Sequence, residues 1–420
     1  MSAGSARTLA DRVGRWQRRS DQGGTYALYF IGFTVQLGMG IVSPILPDIM
    51  REFSLAAWQI GMVVTIFGLA RLAVDLPVGF LLAKLDRAKI LIAGTLLIVA
   101  GSIMAGTASD YGLLLLGRLV MGMGSATCTV TTLASLSEAS SASSRGRVIG
   151  IYQAAMLGGQ TFSPALGGFA ATLAGWRASF FFCASTGLVA TLLVMAASSR
   201  GLLRIPSSRA RRKDRSGAAP TGDVPRTIPW DLVAINFTSM VFFASSQGFR
   251  SSMVPLYGGT ALGIGAGVLG LLLGGSAVIR FVITLLSGFL SDRYGRKIIL
   301  FPGIAFLAIG SLSFALASDL PGFAICLLIL SLGGFGNSIP TTMVVDVVPA
   351  SRVGMAISTN RFVGDLGVLI GPVLLGWILD TAGFTTVAVF TAFMLVSTVP
   401  GVAITFREKR RTADTAATRT

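Results

Sequence analysis

The sequence predicts an all-α integral membrane protein: twelve transmembrane helices in two pseudo-symmetric six-helix halves. Three observations lead there. Of the 420 residues, 53% are hydrophobic and only 12% charged, and the mean hydropathy is +0.75, too apolar for an ordinary soluble protein. The apolar residues gather into twelve stretches, each near the roughly 20 residues that cross a hydrocarbon core of about 30 Å. A segment of the first half also returns in the second: Val78–Leu91 reads VGFLLAKLDRAKIL, and Ser287–Leu300, 209 positions on, reads SGFLSDRYGRKIIL.

Residues 1–24 carry Arg7, Arg12, Arg15, Arg18 and Arg19 with no apolar run before Tyr26, and read as a cytoplasmic tail rather than a cleavable leader. The first half, 25–199, holds spans at 25–47, 57–82, 89–108, 111–137, 147–172 and 177–198. A basic linker rich in Pro, Gly and Ser follows at 200–229. The second half, 230–406, holds spans at 230–256, 264–290, 297–318, 321–346, 353–378 and 382–406, before a second tail at 407–420. We number these spans 1 to 12.

The net charge of +16 reports topology. Arg and Lys crowd the tails and the loops after spans 2, 4, 6 and 8, whereas the opposite loops hold chiefly Arg51 and Arg177. The positive-inside rule then puts both termini in the cytoplasm and the chain in the inner or plasma membrane, with the lipid bilayer as its surroundings. No nucleic-acid partner is expected, because the basic residues occupy short gaps and no solvent-facing basic domain exists to present them. The chain has no histidine, and Cys128, Cys183 and Cys326 sit inside spans without metal-ligand spacing. No metal, cofactor or enzyme activity is expected. With no P-loop either, the energy source is an ion gradient.

The repeat extends beyond the opening pair. Gly61, Arg71 and Gly79 recur at an offset of 209 as Gly270, Arg280 and Gly288; at 208, Glu138, Gly159 and Pro164 recur as Asp346, Gly367 and Pro372. Parallel six-helix repeats are a transporter architecture, with a small-molecule substrate held near the midplane and access alternating by rocking.

Three motifs resemble those of the major facilitator superfamily, over nearly the whole chain apart from its tails. The loop signature G-x-x-x-D-[RK]-x-G-R-[RK] is complete as Gly288, Asp292, Arg293, Gly295, Arg296 and Lys297. Its first-half copy keeps Gly79, Lys84 and Arg87 but has Ala83 for the aspartate and Asp86 for the second glycine. The span 4 signature appears as Arg118, Gly122 and Gly124. The span 5 signature appears as Gly150, Gly159, Ser163, Pro164, Gly167 and Gly168, with Ser163 where the family has glycine, and Gly367, Gly371 and Pro372 echo it in span 11. The resemblance implies the drug:proton antiporter branch, an efflux transporter with no cofactor, working as a monomer. It also implies a gating role for the loop signature. Asp292 would reach the positive N-terminus of span 5 and latch the cytoplasmic side, a latch weakened at Ala83.

Charges inside spans are costly and usually functional. Spans 3, 6, 9 and 12 have none in their interiors, whereas Arg71 and Asp75 lie in span 2, Arg118 in span 4, Arg250 in span 7, Arg280 in span 8, and Arg361 and Asp365 in span 11. Counted from the cytoplasmic helix ends, Arg71 and Asp365 lie about 18 Å deep and Asp75 and Arg361 about 12 Å deep. That spacing allows pairing between spans 2 and 11, or pairing within each helix at four residues' separation. Asp75 and Asp365 are the candidates for proton coupling, with Arg118 in the role the family resemblance implies. The arginine excess leaves Arg250 and Arg280 as candidates to hold an anionic substrate, or to bond helix-end carbonyls and water. Gln36, Gln153, Gln247 and Asn337 are further substrate-binding candidates, or bridges between helices. Export in exchange for protons is the leading reading; proton-linked uptake of an organic anion and a non-transporting membrane sensor are the alternatives.

Overall fold

A computed structural model describes residues 25–82, 84–140, 144–200, 230–336, 339–349 and 352–406. Both tails, the linker from 201 to 229, Ala83 and Asn337 lie outside the described residues. Among the described residues, ten helices are long and apolar enough to cross a membrane. One of them, Val353–Thr405, is broken at Gly383, whose φ of 79° divides it into spans 11 and 12. Arg145–Ala174 adds span 5: its 30 residues are long enough, but its glycines, its two glutamines and a serine dilute its apolar character. Twelve membrane-crossing helices result, as the apolar stretches predict.

The remaining spans are Thr25–Phe53, Ala57–Leu81, Arg87–Gly106, Tyr111–Ala139, Trp176–Ser199, Trp230–Thr260, Ala266–Tyr294, Arg296–Leu316 and Leu320–Val347, numbered 1 to 4 and 6 to 10. Gly175, between spans 5 and 6, has φ 76°, the repeat counterpart of Gly383. A side chain with a Cβ rarely adopts that conformation, so the same glycine turn joins the last two spans of each half.

Packing divides the chain into two compact units: Met1–Ala219 with Val254–Gly275, and Pro220–Met253 with Ser276–Thr420. The repeat boundary and the packing boundary therefore differ. The end of span 7 and the start of span 8 belong by contact to the first unit, where Gly270 is pressed on Gly168 and Gly259 on Pro47.

Within the first unit, span 3 packs on spans 4 and 6, span 2 on span 4, and span 1 on span 5. Small residues permit this: a Cβ on Gly101 would come within 2.6 Å of the Gly117 carbonyl oxygen, and one on Gly124 within 2.5 Å of the Gly94 carbonyl oxygen. The loops with few basic residues neutralise them locally. Arg51 pairs with Asp48 at 2.7 Å, and Arg177 pairs with Glu52 at 2.5 Å while donating to the Ala108 carbonyl at 2.7 Å. Trp176 Nε1 also donates to Glu52.

In the second unit, span 7 and span 9 pack on the Val353–Thr405 tract, and span 9 also packs on span 10. Its core includes Ile235, Phe242, Ile304, Met343 and Leu395, all buried. Large apolar side chains such as Leu192 in span 6 and Phe393 and Ile404 in span 12 point outward. An apolar exterior suits lipid, and helices suit it too, because every mid-span backbone group is satisfied inside its own segment.

Candidate functional site

The two copies of the loop signature are built around the same ion pair. Arg87 Nη2 lies 2.6 Å from Glu138 Oε2, and its repeat partner Arg296 Nε lies 3.0 Å from Asp346 Oδ2. Each pair ties the start of one span to the end of the next: span 3 to span 4, span 9 to span 10. The complete copy adds Asp292 at 2.7 Å from Arg296 Nη1, and Ser291 Oγ at 2.7 Å from the same nitrogen. The turns differ as their residues require. Gly295 sits at φ 107°, which glycine alone tolerates well. Asp86 instead takes φ −65° and caps span 3, its carboxylate accepting from Ala88 N at 2.9 Å. Lys297 Nζ donates to the Ala403 carbonyl at 2.8 Å, and the Arg293 guanidinium lies 5.5 Å from the Tyr294 ring centre. Gly79 and Gly288 have open space where a Cβ would stand.

Arg118 is buried in span 4 and staples three helices. Its Nη1 donates to the Gly38 carbonyl of span 1 at 2.7 Å, its Nε donates to the Val63 carbonyl of span 2 at 3.1 Å, and its guanidinium lies 4.6 Å from the centre of the Phe67 ring. Gly122, four residues on, is pressed against the Phe67 backbone, so the span 4 signature brings its arginine to span 2 by close helix approach. One face further round, Arg71 Nη1 reaches Gln36 Oε1 at 3.4 Å. Asp75 follows one turn along span 2, half-buried. Gln153 of span 5 is exposed.

The second unit keeps the Arg71 position but changes its company. Arg280 Nη1 reaches Ser246 Oγ of span 7 at 3.3 Å, next to Ser245, the repeat counterpart of the Gln36 that Arg71 reaches. Asp75 corresponds to Thr284, whose hydroxyl donates to the Gly334 carbonyl at 3.2 Å. Arg250 is buried in a π-helical stretch, Ser245–Met253, and donates from Nη2 to Ser276 Oγ of span 8 at 2.9 Å. Gln247 is buried in the same stretch. In span 11, Arg361 is exposed and Asp365 half-buried.

The span 5 signature separates into positions that pack and one that does not. Gly159 is pressed on the Phe33 backbone and Gly167 on the Ile41 backbone of span 1, while a Cβ on Gly168 would come within 2.8 Å of Gly270 Cα. Ser163 bonds back to the Gln160 carbonyl at 3.0 Å and fills the space beside Gly40. Gly150 has no atom within 4 Å of a would-be Cβ. Span 11 repeats the device, with Gly367 on the Met240 backbone, and a Cβ on Gly371 would come within 2.7 Å of the Ala244 carbonyl oxygen of span 7. Pro164 and Pro372 lie inside these two helices.

Sequence reasoning missed one polar cluster. Asn360 is buried and donates to Asn236 Oδ1 at 2.9 Å and Ser239 Oγ at 2.7 Å, joining span 11 to span 7. An asparagine in mid-span beside Arg361 was the available signal.

Twelve helices in two repeats, glycine-locked span pairs and arginines inside the spans, with Arg71 and Arg280 at matching repeat positions, define a polytopic transporter architecture. The sequence profile of the Major Facilitator Superfamily matches residues 28–265 and 235–420. The chain belongs to that superfamily. It is 27% identical over 408 residues to multidrug resistance protein Stp of Mycobacterium tuberculosis (strain ATCC 25618 / H37Rv), covering 83% of this chain and 75% of that protein. It is 25% identical over 357 residues to multidrug resistance protein 1 of Bacillus subtilis (strain 168), covering 84% and 87%. In fold it is similar to a bacterial homolog of the human lysosomal transporter Spinster in an inward-facing, unoccupied conformation, with a TM-score of 0.71, 16% identity, and coverage of 92% and 95%. The protein is a multi-pass membrane transporter.

Proposed function

We propose that this transporter exports a small organic compound from the cytoplasm across the plasma membrane in exchange for protons. The observation that carries the reading is the span 5 signature, whose Gly159 and Gly167 are pressed on the span 1 backbone. The multidrug-resistance names of two relatives that each align with more than four fifths of the chain support it. Asp75 and Asp365 take and release the proton: each sits one helical turn from an arginine inside a span, where a change of neighbour alters its proton affinity. Arg118 holds spans 1, 2 and 4 in one arrangement and couples their movement to that exchange. The two termini face the cytoplasm, the proton gradient supplies the energy, no cofactor takes part, and the monomer is the working unit.

Purified protein screened by thermal shift against an organic-compound panel, followed by flux of the hits in everted vesicles and in intact cells, tests this. Export predicts proton-driven accumulation in everted vesicles, lost in Asp75→Asn or Asp365→Asn. Accumulation by intact cells under an inward proton gradient would overturn it in favour of uptake.

A further inference from the structure

Spans 7 and 8 cross-brace each other through a four-residue ring in the second unit. Ser246 and Arg250 lie one turn apart on span 7, Ser276 and Arg280 one turn apart on span 8, and each arginine bonds the other helix's serine, at 2.9 Å from Arg250 and 3.3 Å from Arg280. Both arginines line one open cavity with Phe242, Leu307 and Leu330.

The charge balance of this ring is incomplete. Serine hydroxyls are neutral, and among the described residues neither arginine has a carboxylate partner. Arg250 is 8% exposed, and its Nε, a buried donor, has no hydrogen-bond acceptor. A guanidinium has five N–H donors, and Arg250 Nε is one that stays unspent among the described residues. Burying two cations together without a counter-charge is costly, and a cavity between them gives the missing anion a place. The corresponding positions in the first unit form no such ring: Asp75 lies one turn from Arg71, and Ile41 stands at the position equivalent to Arg250.

We infer that this cavity binds the carboxylate of a small organic acid, held by Arg250 and Arg280 from either side while its apolar body lies against Phe242 and Leu330. A guanidinium matches a carboxylate through two parallel hydrogen bonds, which a neutral isostere cannot reproduce. The apolar walls favour an organic acid over an inorganic ion. Ser246 and Ser276 act as placeholders for the carboxylate oxygens in the unliganded protein. The π-helical stretch gives Arg250 its position, since a π-turn shifts the helix face by a residue and such turns gather at functional sites. That the acid is cargo rests on the transporter reading above; its binding does not.

The test is calorimetric titration of the full chain in phosphatidylcholine nanodiscs, free of anionic headgroups and with no proton gradient. Benzoate, benzamide and sulfate are the probes. Benzoate should bind saturably, and benzamide and sulfate about tenfold or more weakly, the scale of one charge-assisted hydrogen bond. R280Q should weaken benzoate by about tenfold or more, with R280K intermediate. Arg280 is half-buried and its contact with Ser246 is long, so this variant is expected to fold, with a monodisperse elution profile as the control. R250Q provides the second arm. Equal affinity for benzoate and benzamide, sulfate binding as tightly as benzoate, or benzoate affinity unchanged in R280Q would each overturn the proposal. Because no flux is measured, a failed export assay with intact benzoate binding separates the two readings.

Discussion

Gly159 and Gly150 belong to one sequence signature but should respond to alanine in opposite directions. An added methyl on Gly159 overlaps the Phe33 carbonyl oxygen and stands 3.0 Å from its carbon and 3.1 Å from its Cα. Unstrained carbon contacts begin near 3.5 Å, so span 1 and span 5 must separate by about 0.5 Å or more. The obstacle is helix backbone, which cannot rotate aside as a side chain can. Overpacking of this kind costs about 1–3 kcal/mol. At Gly150 nothing lies within 4 Å, and replacing a mid-helix glycine by alanine gains about 0.5–1 kcal/mol. The two variants should therefore differ by about 1.5–4 kcal/mol. The assay is intrinsic-fluorescence melting of purified Gly159→Ala and Gly150→Ala at one scan rate, since membrane proteins commonly melt irreversibly. Gly159→Ala should melt several degrees below the parent, and Gly150→Ala at or above it. Equal destabilisation by both would refute the claim that only packed glycines of the signature are structural.

Two further outcomes follow from the same contacts. A Cβ on Gly40 overlaps Ser163 Oγ and approaches Ser163 Cβ to 3.2 Å, with the next atom at 3.5 Å, so Gly40→Ala should lower the melting temperature and Ser163→Gly should restore it; additive losses in the double variant would count against the contact. For the loop signature, a double-mutant cycle on Arg87 and Glu138, where the arginine side chain is 8% exposed, should give a coupling of about 1 kcal/mol, whereas Arg51 and Asp48, at 61% and 30%, should give close to none; the reverse order would sink the clamp as a stabilising element.

Much of this protein was legible without coordinates. Twelve apolar stretches predict twelve helices because the bilayer demands a length and an apolar surface, and both are properties of consecutive residues. The repeat was legible through Gly159 and Gly367, whose equivalent contacts with spans 1 and 7 require the same residue. The loop signature named Arg87 and Arg296 but not their partners. Glu138 and Asp346 lie 51 and 50 positions further on, and only folding brings them within 3.0 Å.

Sequence alone thus determined the class of molecule, the number of spans, the duplication and the set of charges inside the spans, because hydropathy and repetition are written locally along the chain. Tertiary structure decided which glycines bear on a neighbour and which stand open, as Gly150 does, because a missing Cβ matters only where another backbone occupies its place. It also decided the company of each arginine. Arg118 and Arg280 look alike as isolated positive charges in apolar runs, yet one is held by two backbone carbonyls and a ring, and the other faces a cavity beside a second arginine. Charge is a property of the residue; its compensation is a property of the helices that surround it.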